Sequence, residues 1–189
     1  MAGMLTHREA LEVVAAHRSN RVVITTMGSV GLWPSISDSE RDFHYLPSSM
    51  GQGVPLGLGL CLAKPSLGAI VLTGDGGLLM NLGCLVTTAQ HRVPLAVVLI
   101  DNGLYEVTGG QDVPGARRTD FGAIARGAGF NTVKQFETLA EWGAGASEML
   151  NTPEPSFSWL SIAGARGKAT PSAPRPMHEQ IARLQAAIA

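Results

Sequence analysis

The sequence predicts an α/β protein built on a doubly wound parallel sheet with helices on both faces. "LGAIVLTG" (67–74) and "PLAVVLID" (94–101) are uninterrupted apolar runs of strand length, the pattern of strands buried on both sides. Residues 78–91 between them have the length of a crossover helix, which parallel neighbours require. Helical and strand-like segments alternate along the rest of the chain.

The first helix is announced by Thr6, with Glu9 at the capping-box position and Leu5, Leu11, Val13 and Val14 as apolar positions down to about Arg18. "RVVITTMG" reads as a short β-branched strand ending at Gly28. "MGQGVPLGLGLCLA" (50–63) is a glycine-tolerant helix that must pack closely on something, and Lys64-Pro65 ends it. After the two central strands, a loop follows Gly109-Gly110 to about Arg118. "TDFGAIARGAG" is a helix that Thr119 or Asp120 can cap. Weak strands at "NTVKQ" and "FSWLSIA" flank a helix over 137–150, and a proline-rich linker leads to an amphipathic C-terminal helix.

At 189 residues the chain is read as one domain, 1–189, with 165–175 as the linker to that last helix. Apolar residues make up 45% and charged residues 15%, so much of the surface must lie in a core or against another chain, and an oligomer is expected. A formal charge of -1 and no long basic run give no general reason to bind nucleic acid. Cys61 and Cys84 are the only cysteines, in no CxxC pattern, which argues against a disulfide scaffold, a zinc site or a cysteine-held cluster and fits a reducing cytoplasm. The N-terminus has no signal-peptide pattern and no run reaches the roughly 20 apolar residues needed to span a bilayer, so no membrane association is expected.

The chemistry-bearing stretch is "VLTGDGGLLMNLG" (71–83). In a parallel sheet, ligands sit outside the carboxyl ends of the strands. "GDGG" stands at one such end and "DNG" at the next, with residues 77–100 between them as one helix and a returning strand. Asp75 and Asn102 should therefore meet. A carboxylate, an amide oxygen and a nearby carbonyl are hard oxygen ligands suited to magnesium, with phosphate oxygens completing the shell. The glycines leave amide N–H groups bare, and the start of a 78–91 helix would add its positive dipole end. Taken alone, Asp75 is better explained as a helix cap and Asn102-Gly103 as a turn; the second motif at one crossover's distance favours the metal diphosphate.

"GDG", a spacer of this length, and a pair ending in asparagine resemble the fingerprint of thiamine diphosphate-dependent enzymes, although the first residue of the usual Asn-Asn pair is Asp101 here. The resemblance implies that Asp75 and Asn102 ligate Mg2+ through side chains and Leu104 through its carbonyl, while Gly74, Gly76 and Gly77 line the diphosphate. "SSMGQGVPLGLGLCLA" is similar to the segment that meets the aminopyrimidine ring. Met50 then occupies the position of the bulky residue that wedges the cofactor into its bent conformer, and so is the catalytic candidate, while backbone at Ser48 and Met50 bonds the pyrimidine edge. "TTMGSVG" lies where a further diphosphate loop is expected, adding Gly28 and Ser29. Tyr105, directly after the metal loop, joins the cofactor-binding candidates; it and Glu106 fit a ligand contact or local packing equally.

"DNGLYEVTGGQ" and "RDFHYLPSSMG" resemble the phosphonopyruvate and sulfopyruvate decarboxylases. These need a second, pyrimidine-binding domain whose glutamate activates the cofactor, and only the diphosphate-binding kind is read here. The resemblance therefore implies a β subunit, with a partner α subunit supplying that glutamate and a small 2-oxo acid losing carbon dioxide to leave an aldehyde. An acetolactate-synthase-like carboligase subunit and a non-catalytic cofactor-binding orphan subunit are the alternatives. A 2-oxoacid oxidoreductase subunit would ordinarily sit beside iron-sulfur centres, and no cysteine cluster is present. A nicotinamide site is disfavoured because "GSVGLW" lacks the full GxGxxG spacing. His44 and Gln111 are secondary candidates. Arg117 and Arg118 would suit a sulfonate, phosphonate or second carboxylate, but adjacent arginines in a loop read as solvated surface and are left out of the site; Trp33, Trp142 and Trp159 read as packing residues.

Overall fold

A computed structural model describes residues 4–164, 166 and 171–189. Its strands, in chain order, are β1 (Val22–Thr25), β2 (Asp42–His44), β3 (Ala69–Gly74), β4 (Leu95–Asp101), β5 (Leu104–Tyr105), β6 (Gln111–Asp112), β7 (Thr132–Phe136) and β8 (Ser156–Ser161). Six form one sheet in the order β2-β1-β3-β4-β8-β7, parallel at every pairing, while β5 and β6 make a separate antiparallel hairpin. The helices are α1 (His7–His17), α2 (Gly28–Leu32), α3 (Gly53–Ala63), α4 (Asp75–Leu79), α5 (Gly83–Gln90), α6 (Phe121–Ala128), α7 (Leu139–Asn151) and α8 (Met177–Ile188).

The continuous apolar runs have the expected cause. Along β4, Leu95, Val97 and Leu99 enter one core while Ala96, Val98 and Ile100 enter another, because successive side chains point to opposite faces. The first core is closed by α3, α4, α5 and α6, with α8 laid along β2; the second is closed by α1, α2 and α7. Helices on both faces of a parallel sheet confirm the doubly wound reading. Capping boxes Thr6–Glu9 and Thr138–Glu141 start α1 and α7, and Asp120 caps α6 by accepting from the Ala123 N–H at 2.7 Å. No helix among the described residues is long and apolar enough to cross a membrane.

The structure corrects the sequence reading in three places. The single crossover helix over 78–91 is two helices: α4 starts at Asp75, and α5 follows a turn at 80–82. Bonds of i→i+3 type (Met80 to Gly77, Asn81 to Leu78, Cys84 to Asn81) tighten the chain there, while the Asn81 side-chain amide donates to the Gly51 carbonyl at 3.2 Å. The helix expected from Met50 starts at Gly53, behind a turn over 49–52. Strand β2 was missed because "DFH" has no apolar run; its Asp42 is instead buried in a pair with Arg18. Of the 165–175 linker, residues 165 and 167–170 lie outside the described residues. Beyond it α8 is tied down, with Gln180 accepting from the His44 N–H at 2.8 Å and Arg175 and Arg183 both reaching Asp38.

Helix α3 shows why its glycines differ. A Cβ on Gly57 would lie 2.6 Å from Val71 and 2.9 Å from Leu95, so only glycine lets the helix approach the sheet; a Cβ on the exposed Gly59 would meet nothing within 4 Å. Gly57→Ala is expected to destabilise the fold by about 1–3 kcal/mol through overpacking. Gly59→Ala is expected to stabilise it by roughly 0.5–1 kcal/mol through helix propensity. Denaturant unfolding of the two variants reads both signs.

Candidate functional site

Parallel pairing of β3 with β4 sets the site. The register places Gly74 opposite Ile100, so the start of α4 at Asp75 and the turn at 102–103 leave the sheet side by side. Asp75 is 2% exposed and its Oδ2 accepts from the Gly103 N–H at 3.0 Å; Asn102 Oδ1 accepts from the Leu104 N–H at 2.8 Å. The expected meeting of the two motifs therefore occurs. A cleft opens beyond these strand ends. Gly28, Ser29, Ser48, Met50, Gly74, Asp75, Gly76, Gly77, Asn102, Leu104 and Tyr105 all line it. These come from four separate chain segments, which the fold gathers at the carboxyl ends of β1, β3 and β4.

The glycines have different reasons. A Cβ on Gly76 would stand 2.4 Å from the Tyr105 ring, so this glycine is required by the packing of the hairpin that carries Leu104 and Tyr105. A Cβ on Gly74 would meet only the Ile100 carbonyl, at 4.0 Å, leaving a bare cradle at the cleft wall. Because α4 has only five residues, the long helix dipole expected from a 78–91 helix is absent.

Burial, and then the neighbouring Asp101 carboxylate, push the Asp75 carboxyl up to about 7, against the N–H bonds from Gly76 and Gly103 that favour its charged form. Asp101 itself accepts from the Trp159 indole N–H at 2.8 Å. No group of three His, Cys, Asp or Glu suited to a metal occurs among the described residues. Asp75, Asn102 and Leu104 all line the cleft, and a carboxylate, an amide oxygen and a backbone carbonyl are donor types that suit magnesium. Two features suit a bound thiamine diphosphate: the open cradle at Gly74, and the buried Ser48 hydroxyl, which has no hydrogen-bond partner at the cleft wall.

Several cleft residues escaped sequence reading. His7, on α1, meets the Ser29 hydroxyl through Nε2 at 3.1 Å and shares the cleft with the buried Glu106; Thr26 and Thr73 stand at the ends of β1 and β3. No motif surrounds His7, and only the chain crossing of α1 over the sheet edge brings it there. His44 is not in the cleft: it is buried under α8, with Nδ1 at 3.0 Å from the Thr25 hydroxyl, and burial lowers its pKa. Gln111 is exposed on β6, while Arg117 and Arg118 line a different pocket. Trp33 and Trp142 are fully buried packing residues, as expected.

Residues 26–158 match the family model described as thiamine pyrophosphate enzyme, C-terminal TPP binding domain. The sulfopyruvate decarboxylase subunit beta of Methanothermobacter thermautotrophicus is 42% identical over 139 residues, which is 72% of this chain and 73% of that one. The phosphonopyruvate decarboxylase of Streptomyces viridochromogenes is 32% identical over 83% of this chain, which spans only 40% of that enzyme. Among solved structures, benzoylformate decarboxylase from Polynucleobacter necessarius superposes with a TM-score of 0.74 at 20% identity, over 86% of this chain and 34% of that one, a likeness of fold.

The raised pKa of Asp75 fixes the sign of a stability effect. A carboxyl whose folded pKa lies above its unfolded value costs stability when it must be charged in the fold, most above pH 7 and least near pH 4. Asp75→Asn keeps an oxygen for the Gly103 N–H and removes the charge. It is expected to raise the melting temperature of the ligand-free chain at pH 8 by several degrees, at roughly 2–4 °C per kcal/mol, with the gain shrinking towards pH 4. Thermal melts of both proteins across this range provide the measurement.

Proposed function

The chain belongs to the thiamine pyrophosphate enzyme family, as its C-terminal TPP-binding domain, and on that premise we propose that it is the β-type subunit of a split decarboxylase acting on a small 2-oxo acid of the sulfopyruvate or phosphonopyruvate kind. The observation that carries the reading is the convergence in one cleft of Asp75, Asn102 and Leu104 with the bare Gly74 cradle and Met50. Identity to a protein named as a subunit beta over most of that protein's length supports the split arrangement.

In this reading Asp75, Asn102 Oδ1 and the Leu104 carbonyl hold Mg2+, and the N–H groups of the 74–77 turn with Gly28 and Ser29 hold the diphosphate. When bound, thiamine diphosphate supplies the thiazolium that takes up the electron pair left as carbon dioxide departs. Met50 props the bent conformer from the cleft wall, bringing the reacting atoms of the two rings together in advance. Ser48 bonds the pyrimidine edge with its backbone and offers its buried hydroxyl beside it. Tyr105, seated on Gly76, holds the hairpin over the cleft and excludes water from one side. The activating glutamate comes from a partner α subunit. Cys61 and Cys84 are free, buried and pushed up to about 11 by that burial, thiols inert enough for a reducing cytoplasm.

Calorimetric titration of the chain with thiamine diphosphate, with and without Mg2+ and with the protein encoded beside it, tests the reading. Binding that needs Mg2+ and tightens with the neighbour is the expected result; no binding under any of these conditions overturns it. Asp75→Ala is expected to abolish Mg2+-dependent binding. Met50→Ala is expected to keep that binding while lowering kcat of the assembled enzyme by about 10²-fold, since a misplaced reacting geometry costs on that order. Unchanged turnover would remove the wedge.

A further inference from the structure

The sheet reverses its winding twice, and the cofactor cleft uses only the first reversal. At the first, the chain leaves β1 towards α2 on one face and leaves β3 towards α4 and α5 on the other. At the second, it leaves β4 towards α6, which packs on the face of α3 and α5, and leaves β7 towards α7, which packs on the opposite face; β8 lies between. Crevices outside the carboxyl ends of strands at such points are where open parallel sheets take ligands. A pocket of about 980 Å³, partly open to solvent, lies at the second one, with Asp101, Gln135 and Ser161 from the ends of β4, β7 and β8 on its wall.

Two cations stand at this pocket uncommitted. Arg117 and Arg118 are exposed and form no ion pair among the described residues, whereas both carboxylates of the lining are engaged. Asp101 accepts from Trp159 at 2.8 Å, and Asp120 caps α6 and lies 4.0 Å from Arg126. The turn that carries the arginines is held by bonds from the Ala116 N–H to the Val113 carbonyl and from the Arg118 and Thr119 N–H groups to the Gly115 carbonyl, with Arg117 at φ 60, a conformation that side-chain-bearing residues rarely adopt. The Trp159 ring, packed edge-on against Phe121 at 5.8 Å, gives the pocket an apolar wall.

We propose that this pocket is a second ligand site, taking a small organic anion whose phosphate, sulfonate or carboxylate group is held by Arg117 and Arg118 while its apolar body lies against Trp159. Planar guanidinium groups suit all three oxyanions, and Gln135 and Ser161 add polar contacts at the strand ends. Asn102 lines both this pocket and the cofactor cleft, so the two occupancies are coupled through one turn. That coupling, unlike the site itself, rests on the function proposed above.

The test is titration of the cofactor-free chain with phenyl phosphate, benzenesulfonate and benzoate, followed by tryptophan fluorescence; Trp33 and Trp142 are fully buried, so Trp159 is the reporter. The expected result is a saturable change with at least one of the three, and the tightest of them names the anion class. In the Arg117→Gly/Arg118→Ala variant, whose glycine suits the positive φ, apparent affinity falls roughly tenfold or more, as for loss of a charge-assisted contact. A control of equal charge, Arg8→Ala/Arg92→Ala, leaves it unchanged. No saturable response to any probe, or a response undiminished in the pocket variant, overturns the site. Repeating the titration with Mg2+ and thiamine diphosphate present reads the coupling separately: a shifted affinity supports it, and an unshifted one removes the coupling alone.

Discussion

The parallel pairing of β3 with β4 is the constraint on which the molecule's chemistry depends. Both strands are buried on both faces, and a slip of one residue would exchange the side chains between the two cores, so their register is fixed by packing far from any ligand. That register sets Gly74 beside Ile100, and from it follows the bond between Asp75 and the Gly103 N–H that ties the two turns together. The hairpin, Tyr105 and the cleft wall are all placed by the second of those turns.

The arrangement carries an electrostatic cost. Asp75 is buried beside another carboxylate with N–H dipoles as its counter-charge, and a buried charge without a paired ion is unfavourable. On the function proposed above, a cation between Asp75 and an incoming diphosphate would offset that cost. Such binding would stabilise the fold by mass action. The site is preorganised in geometry, with its charge balance left incomplete.

Much of this was legible in the sequence, for identifiable reasons. Doubly buried strands declare themselves by continuous apolar or β-branched runs, and the capping box of α1 by Thr and Glu at fixed spacing; β1, β3, β4 and α1 are legible this way. The residues expected to line a cofactor share one cleft because strand ends in a parallel sheet are ordered by the crossovers between them. What escaped depends on tertiary contact. Strand β2 is an edge strand whose Asp42 is matched by Arg18 across the fold, and the split between α4 and α5 follows from Asn81 reaching Gly51. His7 enters the cleft from an otherwise ordinary amphipathic helix, and no local pattern marks it.

The "GDGG" stretch shows why a motif should be resolved into its residues. Gly74 leaves room at the cleft wall, while Gly76 leaves room for a tyrosine of the same protein. The two glycines look alike in sequence, yet the first is free for a ligand and the second is consumed by the fold. Their roles are nevertheless joined, because Tyr105 seated on Gly76 fixes the hairpin strand that also contains Leu104, which lines the same cleft as Asp75. A packing requirement thus sets the position of a candidate ligand, and the chemistry of the site is specified as much by what the glycines allow the protein to touch as by what they allow a ligand to touch.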